Sequence, residues 1–353
     1  MVIDHVSMAF NGGHNSKDTV ALADPTTVFE PFAFLTRWAT HLCAPTFVFL
    51  AGTALALSIE RKLEKGADAK SIDWGLLTRG AFIALLDPTL VSLFSGRWTI
   101  QVLYVIGVSM MCMAVLRRLS TKWLLAVVGF WFIAGDAITM SIWDPTDHTP
   151  SIWSSLLFVQ YSDPGVMVIK YPLIPWLMMM LLGWLFGRYL LNYNNGKARL
   201  DPMKLLMWGG LAFIAAFAVI RWLNGYGNAG LLRPNDTWEW FLRVSKYPPS
   251  LTFTLLELGV FAIALSLMMV WERRFGSRPN GVLLVFGQTA MFFYLVHRIV
   301  LEGPATYLGL RGFGDLGMTY LISALLLLVL YPVCLWYRGL KQRHRGAAWT
   351  TYL

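Results

Sequence analysis

The opening stretch MVIDHVSMAFNGGH sets Asp4 and His5 side by side in an apolar run, with His14 shortly beyond. Imidazole is the side chain whose ordinary pKa lies closest to neutrality, so it suits proton transfer or carriage of an acyl group. A second pair, Arg37 and His41 in LTRWATHLCAPTFVFLAG, lies one helical turn apart on one face. Four apolar segments carry further ionisable residues: Asp87 in ALLDPTLV, Asp136 in FIAGDAIT, Glu257 in TLLELGVF, and His297 with Arg298 in FFYLVHRIV. Pro88 removes a backbone donor beside Asp87 and is expected to bend its helix. Ionisable groups are expensive in such surroundings, so each marks a polar interior built for pairing or for function. Adjacent helical residues point about 100° apart. Asp4 therefore either orients His5, pairs with Arg37, or caps its own helix.

The elements that must position these groups follow from composition. The chain has 353 residues, 56% hydrophobic and 14% charged, with a mean hydropathy of +0.55. Apolar stretches long enough to cross a bilayer predict about nine spans, at roughly 32–58, 76–96, 99–116, 123–143, 167–191, 204–223, 249–271, 281–301 and 316–337. The expected fold is an all-α polytopic membrane protein: one transmembrane domain over residues 1–345 and a tail over 346–353. The net charge of +9 is not spread like a polyanion-binding surface. Lys and Arg gather in alternate connections: Arg61 to Lys70, Arg117 to Lys122, Arg188 to Lys204, Arg273 to Arg278, and Arg338 to Arg345. The positive-inside rule makes that set cytoplasmic, with the C-terminus, and makes the lipid bilayer rather than nucleic acid the partner. The opening run is too short to span, and is expected to be the outer end of a first helix whose start lies upstream.

Cys43, Cys112 and Cys334 all fall inside spans and suggest neither a disulfide framework nor a metal site. No phosphate loop, dinucleotide fingerprint, metal motif or serine-nucleophile elbow is present, so no metal is expected. Pro in KYPLIPW and SKYPPSL fits a helix first turn, whereas Pro45 lies inside its helix. Asp87, Asp136, Glu257 and His297 would also serve as a proton relay in a secondary transporter or flippase. Transporters usually carry inverted repeats with matched broken helices, and the Pro-bearing segments here do not pair across two halves.

In order along the chain, IDHV, LTRWATHLCAPTFVFLAG, LYVIGVSMM, KYPLIPWLMMMLLGWLFG, VSKYPPSLTFTLLELG and FGQTAMFFYLVH resemble the catalytic domain of the heparan-α-glucosaminide N-acetyltransferase family, especially its bacterial members. The resemblance implies a cell (inner) membrane enzyme. It would move an acyl group, in the first instance acetyl, from cytoplasmic acyl-CoA to a carbohydrate or lipid-linked sugar at the outer face. His5 looks like the proposed catalytic His of related integral-membrane O-acyltransferases, with Asp4 beside it. His14 matches a placement further out, in the loop after the first helix, and His41 is a further candidate. Coenzyme A carries several negative charges, so Arg79, Arg117, Arg118, Arg273 and Arg274 are candidate phosphate partners. The chain departs from its bacterial relatives at Gly135–Asp136, where they carry a His-Asn pair, and a catalytically inactive family member stays an alternative. Association with a second copy of the chain is left open.

Overall fold

The computed structural model describes residues 1–14, 18–19, 24, 26–163 and 165–344; the expected tail over 346–353 lies outside them. In chain order the helices begin with α1 (Val2–Phe10), α2 (Pro31–His41), α3 (Cys43–Glu64) and α4 (Ala69–Leu86). A π-helical turn (Asp87–Val91) and α5 (Ser92–Ser95) extend α4, and β1 (Trp98–Ile100) leads into α6 (Val102–Leu116) and α7 (Thr121–Ile142). The long connection that follows holds α8 (Ile152–Leu157), β2 (Tyr161–Asp163) and β3 (Met167–Ile169). Then come α9 (Leu173–Asn194), α10 (Pro202–Leu223), α11 (Trp238–Leu242), α12 (Leu251–Phe275), α13 (Val282–Gln288), α14 (Ala290–Tyr307) and α15 (Leu316–Arg343).

Polar residues at the connections start these helices. Glu30, Asp68, Asp201, Ser250 and Asp315 each accept a bond from a first-turn N–H, of α2, α4, α10, α12 and α15 respectively. Helix α9 is the buried centre of the bundle, with Trp176, Met179, Met180 and Trp184 shut from the surface. It crosses α3 at very short range, because a Cβ on Gly52 or Gly183 would collide with the backbone of the facing helix. Small residues let backbones approach in this way where lipid removes the hydrophobic drive between helices. Helices α1, α14 and α15 form a second apolar cluster around Val6, Leu301, Leu330 and Cys334, beside the main core.

Seven of the described helices are long and apolar enough to cross a membrane, so the chain is a multi-pass membrane protein. Two expected spans differ. The one predicted at 281–301 is α13 and α14, bent by 89° about Thr289, and makes an eighth crossing only if the pair is taken as one. The one predicted at 99–116 is a helix of 15 residues, short of the roughly 20 needed to cross hydrocarbon. Its start is fixed by Asp87, whose Oδ2 accepts from Gln101 N at 2.7 Å and Tyr104 N at 2.8 Å. The residues before it become sheet. β1 pairs in parallel with β3, and β2 pairs antiparallel with β3, in the order β1-β3-β2. The all-α expectation omits this sheet. It ties the α5–α6 connection to the long α7–α9 connection on the side away from the basic clusters.

Candidate active site

Helix α1 brings His5 against α14. His5 Nδ1 lies 2.7 Å from His297 Nε2, with the ring planes parallel to within 4°. His297 Nδ1 lies 2.9 Å from the Phe293 carbonyl oxygen, one turn earlier in α14. A carbonyl only accepts, so Nδ1 of His297 carries the proton. In the neutral ring Nε2 is then the acceptor, and His5 must donate from Nδ1. The chain of bonds therefore leaves Nε2 of His5 unprotonated, with its lone pair available as a base.

His5 lines a cavity of about 160 Å³ at the end of the bundle opposite the basic connections. Asp4, His14, Arg37, Arg97, Lys170 and Tyr247 share its wall. Asp4 does not turn to His5. It pairs with Arg37, whose guanidinium also holds Asp18, through Nη2 and through a bond from Nε at 2.7 Å. His41 stands behind this network, its Nε2 3.3 Å from Asp18 Oδ1. Burial alone would raise the Asp18 carboxyl, but Arg37 and His41 outweigh it and hold the group well below the usual carboxylate range. Asp18 is tied further into the floor, since its carbonyl accepts from Lys246 N at 2.8 Å. Beside it, Gln160 donates to Thr19 at 3.0 Å.

His14 sits at the rim, its Nδ1 2.9 Å from Ser7 Oγ, and that hydroxyl accepts from Asn11 Nδ2 at 3.2 Å. Burial, then the nearby Arg37, lowers its pKa to about 4, so its imidazole is neutral at pH 7. Tyr171 and Tyr247 face one another with hydroxyls 3.4 Å apart. Burial pushes the Tyr171 phenol up; Tyr247, against its own burial, is lowered by Lys246, Lys170 and Arg37.

The structure thus gathers Asp4, His5, His14 and Arg37 at one cavity, with His41 and His297 directly behind it. The remaining intramembrane acids do not line this cavity. Asp87 caps α6, and Asp136 accepts from Ala229 N at 2.7 Å and Leu251 N at 3.1 Å, fixing the start of α12. Glu257 is buried in α12 with Oε1 unpartnered. The phosphate candidates lie at the other end. Arg117 grips Asp73 at 2.6 and 2.9 Å and the Ala69 carbonyl at 3.1 Å, and Arg118 joins the same carboxylate. Arg273 pairs with Asp201 at 3.0 Å, exposed Arg274 lies over the Phe275 ring, and half-buried Arg79 has Nε without a hydrogen bond. Among the described residues, no group of His, Cys, Asp and Glu has the arrangement to hold a metal ion.

Sequence reasoning did not single out Asp18, Arg97, Lys170, Tyr171 or Tyr247. For Lys170 and Tyr247 a signal existed: Lys-Tyr-Pro occurs twice, at 170–172 and 246–248, each time just before a long helix.

A family model for the catalytic domain of heparan-α-glucosaminide N-acetyltransferase matches residues 19–223. That is more than half of the chain, and the chain belongs to this family of membrane acetyltransferases. The matched stretch contains Arg37, His41, Arg97, Lys170 and Tyr171; His5, His14, Tyr247 and His297 lie outside it. No curated protein matches the sequence.

Proposed function

We propose that the chain transfers an acetyl or other acyl group from cytoplasmic acyl-CoA to a sugar or lipid-linked sugar at the outer face, with His5 as the base. The observation that carries this reading is the hydrogen-bonded order Phe293 carbonyl, His297, His5, which leaves an unprotonated imidazole nitrogen at a polar cavity. His5 Nε2 takes the proton of the acceptor hydroxyl or amine as that atom attacks the thioester carbonyl. The carbon–sulfur bond then breaks, and the imidazolium returns the proton to the departing thiolate. His297 stabilises the transient charge by accepting from His5 Nδ1–H. Arg97 supplies positive charge where the tetrahedral oxyanion develops. Arg37, neutralised by two carboxylates, holds α1 against α2 and fixes the register of His5.

The cavity is smaller than the roughly 300–1,000 Å³ of sites that enclose a drug-sized ligand. It accommodates the reacting ends of two substrates, not a whole coenzyme. The positive-inside pattern supports placing the basic end in the cytoplasm and the cavity outside. The donor's phosphates would then meet the basic end, with Arg79 and Arg274 best placed among the candidates. The test uses proteoliposomes supplied with labelled acetyl-CoA on the basic side, following free CoA thiol, label on sugar and label on protein. His5-dependent thiol release with labelled sugar is the expected result. Release that survives His5→Ala would move the base to His14, and labelled protein lost with His5 would make the imidazole an acyl carrier.

A further inference from the structure

The two Lys-Tyr-Pro segments come from connections 76 positions apart and meet in one wall of the cavity. Their tyrosine rings pack edge to face with centroids 5.6 Å apart. Both ammonium groups lie over the Tyr247 ring, Lys170 Nζ at 5.6 Å and Lys246 Nζ at 5.4 Å from its centroid. We propose that Lys170 and the Tyr171–Tyr247 pair form a subsite for an anionic group on the acceptor, a carboxylate or a phosphate attached to the sugar. This assignment rests on the acyl-transfer reading above.

The charges in the wall argue for it. Asp4 is the one carboxylate among the described lining residues, and Arg37 holds it. Lys170 has no carboxylate within ion-pair distance among the described residues, and Arg97 adds positive charge to the same wall, while the charge of Arg37 is taken up by Asp4 and Asp18. A cationic acceptor would meet no available counter-ion here. An anionic one would complete a half-buried lysine, whose desolvation already works against its charge. The tyrosine pair supplies a hydroxyl donor beside that ammonium, so one acceptor oxygen is met by N–H and O–H together.

The test is binding, read by intrinsic tryptophan fluorescence of the whole chain in lipid nanodiscs, with glucose, glucuronate and glucose 1-phosphate as probes. Wild type is expected to bind at least one of the two anions about tenfold or more tighter than glucose, as charge-assisted bonds require. Whether glucuronate or the phosphate wins identifies the group. Lys170→Gln is expected to erase the preference, and Lys170→Arg to keep most of it. Equal binding of all three probes by wild type, or a preference surviving in folded Lys170→Gln, overturns the subsite. So does competitive displacement of the anion by CoA, which would assign the cationic wall to the donor. Should Lys170→Gln not fold, Tyr171→Phe serves, expected to weaken anion binding severalfold and glucose binding little; unchanged anion binding there counts against the proposal. Anion-selective binding without thiol release from acetyl-CoA would keep the subsite and remove acyl transfer. Thiol release without anion preference would do the reverse.

Discussion

At one end of the bundle Arg37 is held by Asp4 and Asp18; at the other, Arg117 and Arg118 share Asp73. Both clusters are arginine–carboxylate networks that tie helices together, yet they differ in what surrounds them. Arg117 also donates from Nη2 to the Ala69 carbonyl, and Arg188 closes the neighbourhood by donating to the Arg117 and Leu119 carbonyls. Arg37 and Asp4 instead line an open cavity with His5 and His14, and His297 and His41 stand behind it. A network that ends on backbone carbonyls is structural. A network that ends on a cavity with an unprotonated imidazole nitrogen beside it is the arrangement the proposed transfer calls for.

The largest effects belong to the cavity end. His5→Ala is expected to cost about 10²–10⁴-fold in transfer, the ordinary worth of a positioned base, with the unfolding midpoint little moved. His297→Ala leaves His5 in place but frees its tautomer, so its loss should be smaller, about tenfold to a hundredfold as for other partners that orient a functional histidine. Equal losses would mean that the two rings act as one unit. No loss from His297→Ala would remove the tautomer argument.

Next is the contrast between the arginines themselves. Arg37→Met leaves Asp4 and Asp18 buried without their cation, a defect of about 3–5 kcal/mol. Arg117→Met leaves Asp73 with Arg118, so thermal unfolding in detergent should register well under half of that. Comparable losses would show that the basic end is no better buffered than the cavity end.

A pH series isolates His14. Its folded pKa of about 4 lies below the ordinary 6.5, so between those values the unfolded chain binds the extra proton. The contribution is full above about pH 6.5 and lost as pH falls towards 4, of order 1–3 kcal/mol in all. His14→Gln should flatten the dependence of the unfolding midpoint over that window. A slope unchanged in His14→Gln would assign the acid sensitivity to another group.

The helices were legible because bilayer thickness dictates their length and because Asp, Ser and Glu mark their starts. The two spans that differ carried no such mark. Nothing in LYVIGVSMM shows that Asp87, from the preceding helix, will begin α6 at Val102, or that the chain turns through 89° at Thr289 without a proline. The site was legible as residue types and not as partners. His5 and His297 are 292 positions apart, and the sheet that places Lys170 beside Gln101 is built from strands of three residues in polar connections. Asp18 gave no signal beyond being one acid among several in a loop, although it holds both Arg37 and His41.

The smallest effect concerns how the donor is held. Arg273 is 60% exposed and paired with Asp201, which also caps α10 through Met203 N at 2.8 Å. Exposed pairs add little, and the cap survives without the arginine, so Arg273→Ala should leave the unfolding midpoint unmoved and the KM for acetyl-CoA within about twofold. Arg79 differs, being half-buried in α4 with Nε lacking a hydrogen bond. Arg79→Gln is therefore expected to raise the KM for acetyl-CoA by about tenfold, the loss of one charge-assisted phosphate contact, with kcat nearly unchanged. Steady-state kinetics with CoA release as readout separates the two. If Arg273 moves KM and Arg79 does not, the donor's phosphates are read at the exposed rim of the basic end. The exposed Arg273–Asp201 pair, and not half-buried Arg79, would then be the donor's anchor.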